Sequence, residues 1–457
     1  MSPHPIRLLI SLAALTASLL TAASAQETSP AKLPPPPASA AASAANNAAS
    51  LSASAKRIYD QSRLQLLQVR TLLKGQDSQS SVGSGFIVSD KGLLITNYHV
   101  VSQYALEPER YRLRFATTDG LEGPLELLDI DVRHDLALLR LPANSPANRG
   151  ALHFRSADQP LTKGERIYSM GNPRDVTFAV VEGNFNGLVE RAFDPLIYYA
   201  GSINPGMSGG PVLDDEGLVV GINVSAMVFA EQMSFLVPGG DAAALLKRSG
   251  NKTQTLPTPA WPTITQQVLA YQDDLTKRFL AQPWRDGGHE RYRLPMPQEQ
   301  FMRCWGGNTA SEAKGVKTES TRCRMEHNLF LRDSLRLGYL DFEQYRMDGQ
   351  NVGTWRFAQA YSRRFAMNSN MVTGKERTAP QCKESFVDSH GVPLRSVVCM
   401  NAYKKLKGLY DLSILVATVD HDQQGVQGQF EANGVSFDNA LKLTTHYLEG
   451  FGWKRAH

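Results

Sequence analysis

Neither cysteine nor tryptophan occurs in the first 250 residues of this 457-residue chain; all four Cys and all five Trp come later. Beyond the first 25 residues no uninterrupted apolar run approaches the roughly 18 needed to cross a bilayer, which excludes a polytopic membrane protein. No dense Lys/Arg stripe accompanies the formal charge of +4, so the electrostatic footprint of a nucleic-acid binder is missing too. What is present, 42% hydrophobic and 20% charged residues, is the composition of a globular protein too long for one domain of about 150 residues.

The first 25 residues read as a signal peptide: Arg7 as the positive region, Leu8 to Leu20 as a short apolar stretch, and Ala23-Ser24-Ala25 as a small-x-small cleavage site. No Cys follows that stretch, which argues against a lipoprotein; an uncleaved anchor is the rival reading. Removal takes only Arg7 from the charge count and leaves +3. The mature chain is expected to be periplasmic or secreted, with no membrane span. Residues 26–54, rich in Ala, Pro and Ser and including Pro34 to Pro37, cannot bury enough surface to offset the entropy of ordering and read as a disordered tether. A second break, residues 251–262, carries the Pro-rich Leu256-Pro257-Thr258-Pro259-Ala260-Trp261-Pro262 and is read as a linker. Charge changes across it, from 21 basic and 23 acidic residues in 1–250 to 27 and 21 in 251–457.

Residues 55–250 read as all-β, with short runs such as Leu64 to Leu73, Leu93 to Thr96, Leu136 to Leu141 and Val219 to Val224 bounded by Gly, Asp, Asn or Pro. Three segments carry chemistry. In Leu93-Leu94-Ile95-Thr96-Asn97-Tyr98-His99-Val100-Val101 a strand ends at Thr96 and Asn97 caps a helical turn that presents His99. Alone, such a His is more often a satisfied core histidine. In Arg133-His134-Asp135-Leu136-Ala137-Leu138-Leu139, Asp135 opens an apolar strand, where a carboxylate can sit beside an imidazole; the bland reading is a turn residue. In Asn204-Pro205-Gly206-Met207-Ser208-Gly209-Gly210-Pro211 the glycines permit the tight backbone that exposes a hydroxyl, or merely a Gly-rich hairpin.

A serine nucleophile needs a base within hydrogen-bond reach, and that base needs an anion to fix its tautomer. His99, Asp135 and Ser208 fill these roles, and the three segments together resemble the signatures of chymotrypsin-fold serine proteases, specifically the HtrA/Deg type. Gly171-Asn172-Pro173 and Phe235-Leu236-Val237-Pro238 add to the likeness, which spans about residues 56–250. The resemblance implies two six-stranded antiparallel β-barrels with the active site between them and backbone N–H donors of Gly206 and Ser208 as the oxyanion hole. Met207 departs from the Asn often found there, with little expected effect because the donors are backbone. His134 is expected to be a packing neighbour of Asp135. Counting back six residues from Ser208 puts Ser202 at the foot of the substrate pocket, with Val224, Ser225 and Ala226 along one wall. With no acid there, a buried Arg or Lys would lack a partner, so basic residues at the cleavage point are disfavoured.

The likeness ends at the linker. The nearest thing to a PDZ carboxylate-binding loop is Gly338-Tyr339-Leu340-Asp341-Phe342, whose Asp341 would repel a peptide carboxylate. Residues 263–457 instead predict an α+β accessory domain: a helix from Ile264 to Leu280 with Ile264, Val268, Tyr271, Leu275 and Phe279 at helical spacing, β segments such as Leu409 to Val419, and a closing helix from Ser436 to Glu449. Four Cys in an exported chain favour two disulfides, with Cys304–Cys323 and Cys382–Cys399 the local pairing among three connectivities; zinc is the rival, without any Cys-x-x-Cys pair. No metal or other cofactor is called for. The expected partner is a protein or peptide substrate, not nucleic acid, and assembly with further copies of the chain stays open. Two functions follow: an exported serine endopeptidase acting on envelope or misfolded proteins, or a catalytically dormant binding or chaperone-like envelope protein acting through its C-terminal domain.

Overall fold

The computed structural model describes residues 51–173, 177–226, 233–298, 300–309, 314–367, 371 and 374–454. The expected signal peptide and nearly all of the expected tether lie outside the described residues. Helix Ala53–Ser62 comes first; it starts at Ser52, whose hydroxyl accepts the Ala55 N–H at 3.0 Å. Among the described residues no helix is long and apolar enough to cross a membrane.

Seven strands then form one antiparallel sheet in the order Glu122–Pro124, Tyr111–Thr117, Leu66–Leu73, Gln79–Ile87, Leu93–Asn97, Leu136–Arg140 and Glu126–Asp131. Only Leu125 separates the two outer strands of that order in the chain, so the sheet has to curl until its edges approach. Six strands were expected and seven occur because the chain changes partner here. Up to Leu125, whose N–H reaches the Leu113 carbonyl, it pairs with Tyr111–Thr117, and from Glu126 it pairs with Leu136–Arg140. The second sheet is a closed barrel of six strands: Ile197–Ala200, Ser234–Pro238, Val219–Ala226, Pro211–Leu213, Arg166–Gly171 and Ala179–Leu188. Helix Gly239–Ser249 follows it.

After the linker, the helix begins at Trp261, three residues earlier than expected, and runs to Leu280, burying the apolar stripe read from the sequence together with Gln272 and Thr276. A seven-stranded antiparallel sheet follows, ordered Arg303–Asn308, Lys317–Arg324, Leu340–Asp348, Gln424–Ser436, Leu409–Thr418, Val392–Ala402 and Gln381–Ser389. Helices cover both of its faces. Leu412, Ile414 and Val416 share a core cluster with helices Trp261–Leu280 and Phe437–Glu449, whereas Leu415 and Ala417 point the other way toward Phe365 and Tyr361 of helix Thr354–Met367. Gly338-Tyr339-Leu340-Asp341-Phe342 leads into a central strand, where Asp341 is held by Arg322 and Arg324. Both disulfides have the local pairing, Cys304–Cys323 and Cys382–Cys399, and each joins residues directly opposite on neighbouring strands with Cα atoms 4.0 Å apart.

The composition break near residue 250 is not a gap in the packing. One cluster of buried side chains runs from Leu94 and Leu139 of the first sheet, through Val100, to Ile264, Tyr271 and Leu275 of the helix and on to Phe342 and Phe430. Polar contacts reinforce it. Gln267 both donates to the Ile130 carbonyl and accepts from the Val132 N–H, each at 2.8 Å, and Arg133 binds Asp194 and Asp274 at 2.9 Å while lying over the rings of Phe193 and Tyr271. A shared core should unfold as one. Because every Trp lies after residue 260, Trp fluorescence reports the C-terminal half and far-UV circular dichroism both halves. In a denaturant titration the two signals are expected to move together. Leu275→Ala should shift both by the same amount, about 2 to 5 kcal/mol, as for a buried large-to-small change.

Candidate active site

The strand Leu93–Asn97 delivers the chain to helix Tyr98–Leu106, and His99 is its second residue. Asn97 sits at the cap, but its amide donates to the Asp135 carbonyl at 2.8 Å, and the Tyr98 N–H reaches the same oxygen at 3.0 Å. Asp135 has a left-handed backbone, φ +54°, a conformation that Asp tolerates better than most residues. Its carboxylate then faces the helix start: one oxygen accepts the His99 backbone N–H at 2.8 Å and the other meets Nδ1 at 2.6 Å. With Nδ1 donating, Nε2 is left as the basic nitrogen.

Burial of the imidazole opposes its protonation, but the Asp135 charge and hydrogen bond outweigh that, and the His99 pKa lies above the ordinary 6.5. Arg336 pulls it down and Asp333 pushes it up. His134 is occupied elsewhere: its ring and N–H meet the Asp131 carboxylate at 3.1 and 3.2 Å, and Asp241 lies 3.9 Å from Nε2.

Ser208 lies on a turn built from two left-handed glycines, Gly206 (φ +95°) and Gly209 (φ +84°). The Met207 N–H closes the turn on the Asn204 carbonyl at 3.0 Å, and the Gly210 N–H reaches the Met207 carbonyl at 3.0 Å. A Cβ on Gly209 would strike the Ser84 carbonyl, the Thr96 hydroxyl and the Asn97 nitrogen, so only glycine lets this turn lie against the His99 strand. Among the described residues the N–H groups of Gly206 and Ser208 make no backbone hydrogen bond.

Two residues the sequence reading passed over hold this turn. The Ser84 N–H donates to the Ser208 carbonyl at 2.7 Å and its hydroxyl to the Gly206 carbonyl at 2.7 Å, fastening the turn to the first sheet. Asn223 donates from its side chain to the carbonyls of Met170 (2.9 Å) and Met207 (3.3 Å), fastening it to the second. Ser84 stands between two glycines, Gly83-Ser84-Gly85, on the strand just before the one that leads to His99, which was the available signal. Met207 is buried in the second barrel, away from the donors.

A cavity of about 470 Å³ opens beside His99, lined by His99, Asp135, Val224 and Phe235, with Phe330 and Arg336 from beyond the linker. Of the expected pocket residues only Val224 borders it. Ser202 is exposed and is not among its lining residues; Ser225 and Ala226 pair in the barrel with Phe235 and Ser234. Among the described residues no group of three or more His, Cys, Asp or Glu is arranged to hold a metal ion.

Residues 83–222 match the family model for the trypsin-like peptidase domain. The chain is 33% identical over 187 residues to a probable periplasmic serine endoprotease, DegP-like, of Pseudomonas fulva, covering 38% of this chain and 36% of that protein. It is 33% identical over 181 residues to serine protease HTRA3 of Homo sapiens, covering 38% and 39%. The chain thus spans about two fifths of the length of these relatives. Among solved structures, the serine endoprotease from Yersinia pestis aligns with a TM-score of 0.37 at 22% identity over 44% of this chain and 67% of that one. The active form of the Rv3671c protease from M. tuberculosis aligns with a TM-score of 0.38 at 20% identity over 44% and 87%. The chain therefore carries a trypsin-like peptidase domain homologous to the DegP/HtrA serine proteases.

Followed by NMR, the His99 ring is expected to titrate above 6.5. Asp135→Asn should bring it below 6.5, since burial and the Arg336 charge then oppose protonation with only Asp333 on the other side.

Proposed function

We propose that this chain, with its trypsin-like peptidase domain over residues 83–222, is an exported serine endopeptidase that cleaves envelope or misfolded proteins. The observation that carries the proposal is the double grip of the Asp135 carboxylate on His99, through the backbone N–H and through Nδ1. On this reading Ser208 Oγ attacks the peptide carbonyl while His99 Nε2 takes its proton. The tetrahedral oxyanion rests on the N–H groups of Gly206 and Ser208, each worth about 3 to 4 kcal/mol in comparable sites. The C–N bond then breaks as His99 returns the proton to the leaving amine. Water, deprotonated by the same nitrogen, releases the acyl group from Ser208, and Asp135 stays ionised throughout. On this reading the reaction requires Ser208 Oγ to come within hydrogen-bond reach of His99 Nε2 in the substrate complex.

We divide the chain into a signal peptide (1–25), a tether (26–54), a double-barrel protease domain (55–250), a linker (251–262) and an α+β domain (263–457). Export is supported by Arg7, the apolar stretch after it and the Ala23-Ser24-Ala25 site, and by two disulfides, which persist in an oxidising compartment such as the periplasm.

A fluorophosphonate probe should label the folded protein at Ser208, and Ser208→Ala should abolish labelling. Asp135→Asn should lower kcat by about 10⁴-fold at neutral pH. Equal labelling of the Ser208→Ala protein, or no labelling of the folded wild type, favours instead a binding protein that works through its C-terminal domain.

A further inference from the structure

The cavity beside His99 has walls from three parts of the chain. His99 comes from the helix that follows the first sheet's strand Leu93–Asn97, Val224 and Phe235 from the second barrel, and Phe330 and Arg336 from a small hairpin, Leu329–Arg332 and Leu335–Leu337, beyond the linker. The hairpin is not loosely placed. The Tyr98 hydroxyl, one residue from His99, donates to the Leu331 carbonyl at 3.0 Å, and Arg332 lies 3.5 Å from Glu107 of the His99 helix and 3.4 Å from Glu376. Strand alternation sends Leu329, Leu331, Leu335 and Leu337 into the shared core. Phe330 and Arg336, register partners on opposite strands, are left facing the cavity. The guanidinium lies 5.5 Å from the Phe330 ring centre and fixes the ring. That ring meets the His99 imidazole edge to face at 6.0 Å.

A half-buried aromatic side chain at the edge of the shared core, beside an arginine and set against the His99 ring, is a preformed contact surface. The cavity is bordered by His99 and Asp135 and not by Ser208, so a side chain that fills it belongs to a substrate residue on the His99 side of the scissile bond. Val132, Val189, Leu196, Val224 and Phe235 supply apolar lining beside Phe330; Arg133, Glu190, Arg191, Asp194 and Glu326 border the cavity too, with Arg133 and Asp194 paired to each other. We propose that the C-terminal domain is part of the substrate site: Phe330, held by Arg336, is a specificity-determining residue that selects a large apolar side chain beside the cleaved bond. This inference rests on the endopeptidase reading and adds to it the substrate class and the part of the chain that recognises it.

The test uses the full-length protein. Cleavage sites in reduced, denatured casein, read by mass spectrometry, supply the most frequent sequence. Fluorogenic peptides built on it carry either Leu or Ala at each position flanking the cut. Wild type should prefer Leu at one of these positions. Phe330→Ala should reduce that Leu/Ala ratio of kcat/KM by about tenfold, the scale of discrimination by apolar contact, and leave the ratios at other positions unchanged. Phe330→Trp, which fills the cavity without emptying any core, should invert the preference toward Ala. Unchanged ratios in both variants, with thermal midpoints confirming folding, overturn the proposal. So does a uniform rise in cleavage of all peptides and in fluorophosphonate labelling, which would make the hairpin a plug. Failure of the endopeptidase reading is distinguishable: Ser208-dependent labelling is then missing in the wild type itself, and this inference falls with it.

Discussion

The site depends on how the chain at Asp135 is held against the start of the His99 helix. Its carbonyl accepts from the Tyr98 N–H and the Asn97 amide, while its carboxylate accepts from the His99 N–H and Nδ1. Four donors therefore converge on one residue, and two of them, the Tyr98 and His99 N–H groups, are orphan groups of a helix terminus that would otherwise need a capping side chain or water. The same contact ends the strand, starts the helix and sets the tautomer of the imidazole. A residue that could not adopt the left-handed backbone of Asp135 would misplace all of these at once.

The Ser208 turn is tied down independently, by Ser84 from the first sheet and Asn223 from the second. The hydroxyl thus lies where two sheets meet, and its distance from the imidazole is a property of their packing. That packing is extended by a third element. Because the core continues past the linker through Ile264, Tyr271 and Leu275, the C-terminal sheet and its hairpin are braced against the same surface that carries His99. Arg133, two residues from Asp135, binds Asp194 before the second barrel's strand Ile197–Ala200 and Asp274 in the linker-proximal helix, joining all three parts near the site.

Much of this was legible because its physics is local. The helix over residues 261–280 announces itself by an apolar stripe, and the closing helix by Ser436, whose hydroxyl does accept the Asn439 N–H. Other elements were silent. Strand Ala179–Leu188 contains Glu182, Gly183, Asn184, Asn186 and Gly187, poor β formers, and is held by its neighbours; a Cβ on Gly183 would strike the Tyr199 ring that crosses it. The alternation in Leu409–Thr418 is blurred because helices bury both of its faces, so Leu415 and Ala417 are as hidden as Ile414 and Val416. Glu122–Pro124 is too short to carry a pattern.

What the amino-acid order determined by itself is the chemistry: an imidazole after a capping Asn, an Asp opening a strand, a Ser between glycines, and four Cys whose short separations favoured the local pairing. Each is encoded within a few neighbouring residues, where backbone preference and side-chain type suffice. What only the tertiary structure decided is which distant groups meet. Phe330 beside His99, Ser84 beneath Ser208 and Arg133 between Asp194 and Asp274 are contacts across 231, 124, 61 and 141 positions, and they arise from how three sheets share one core, which no local pattern records.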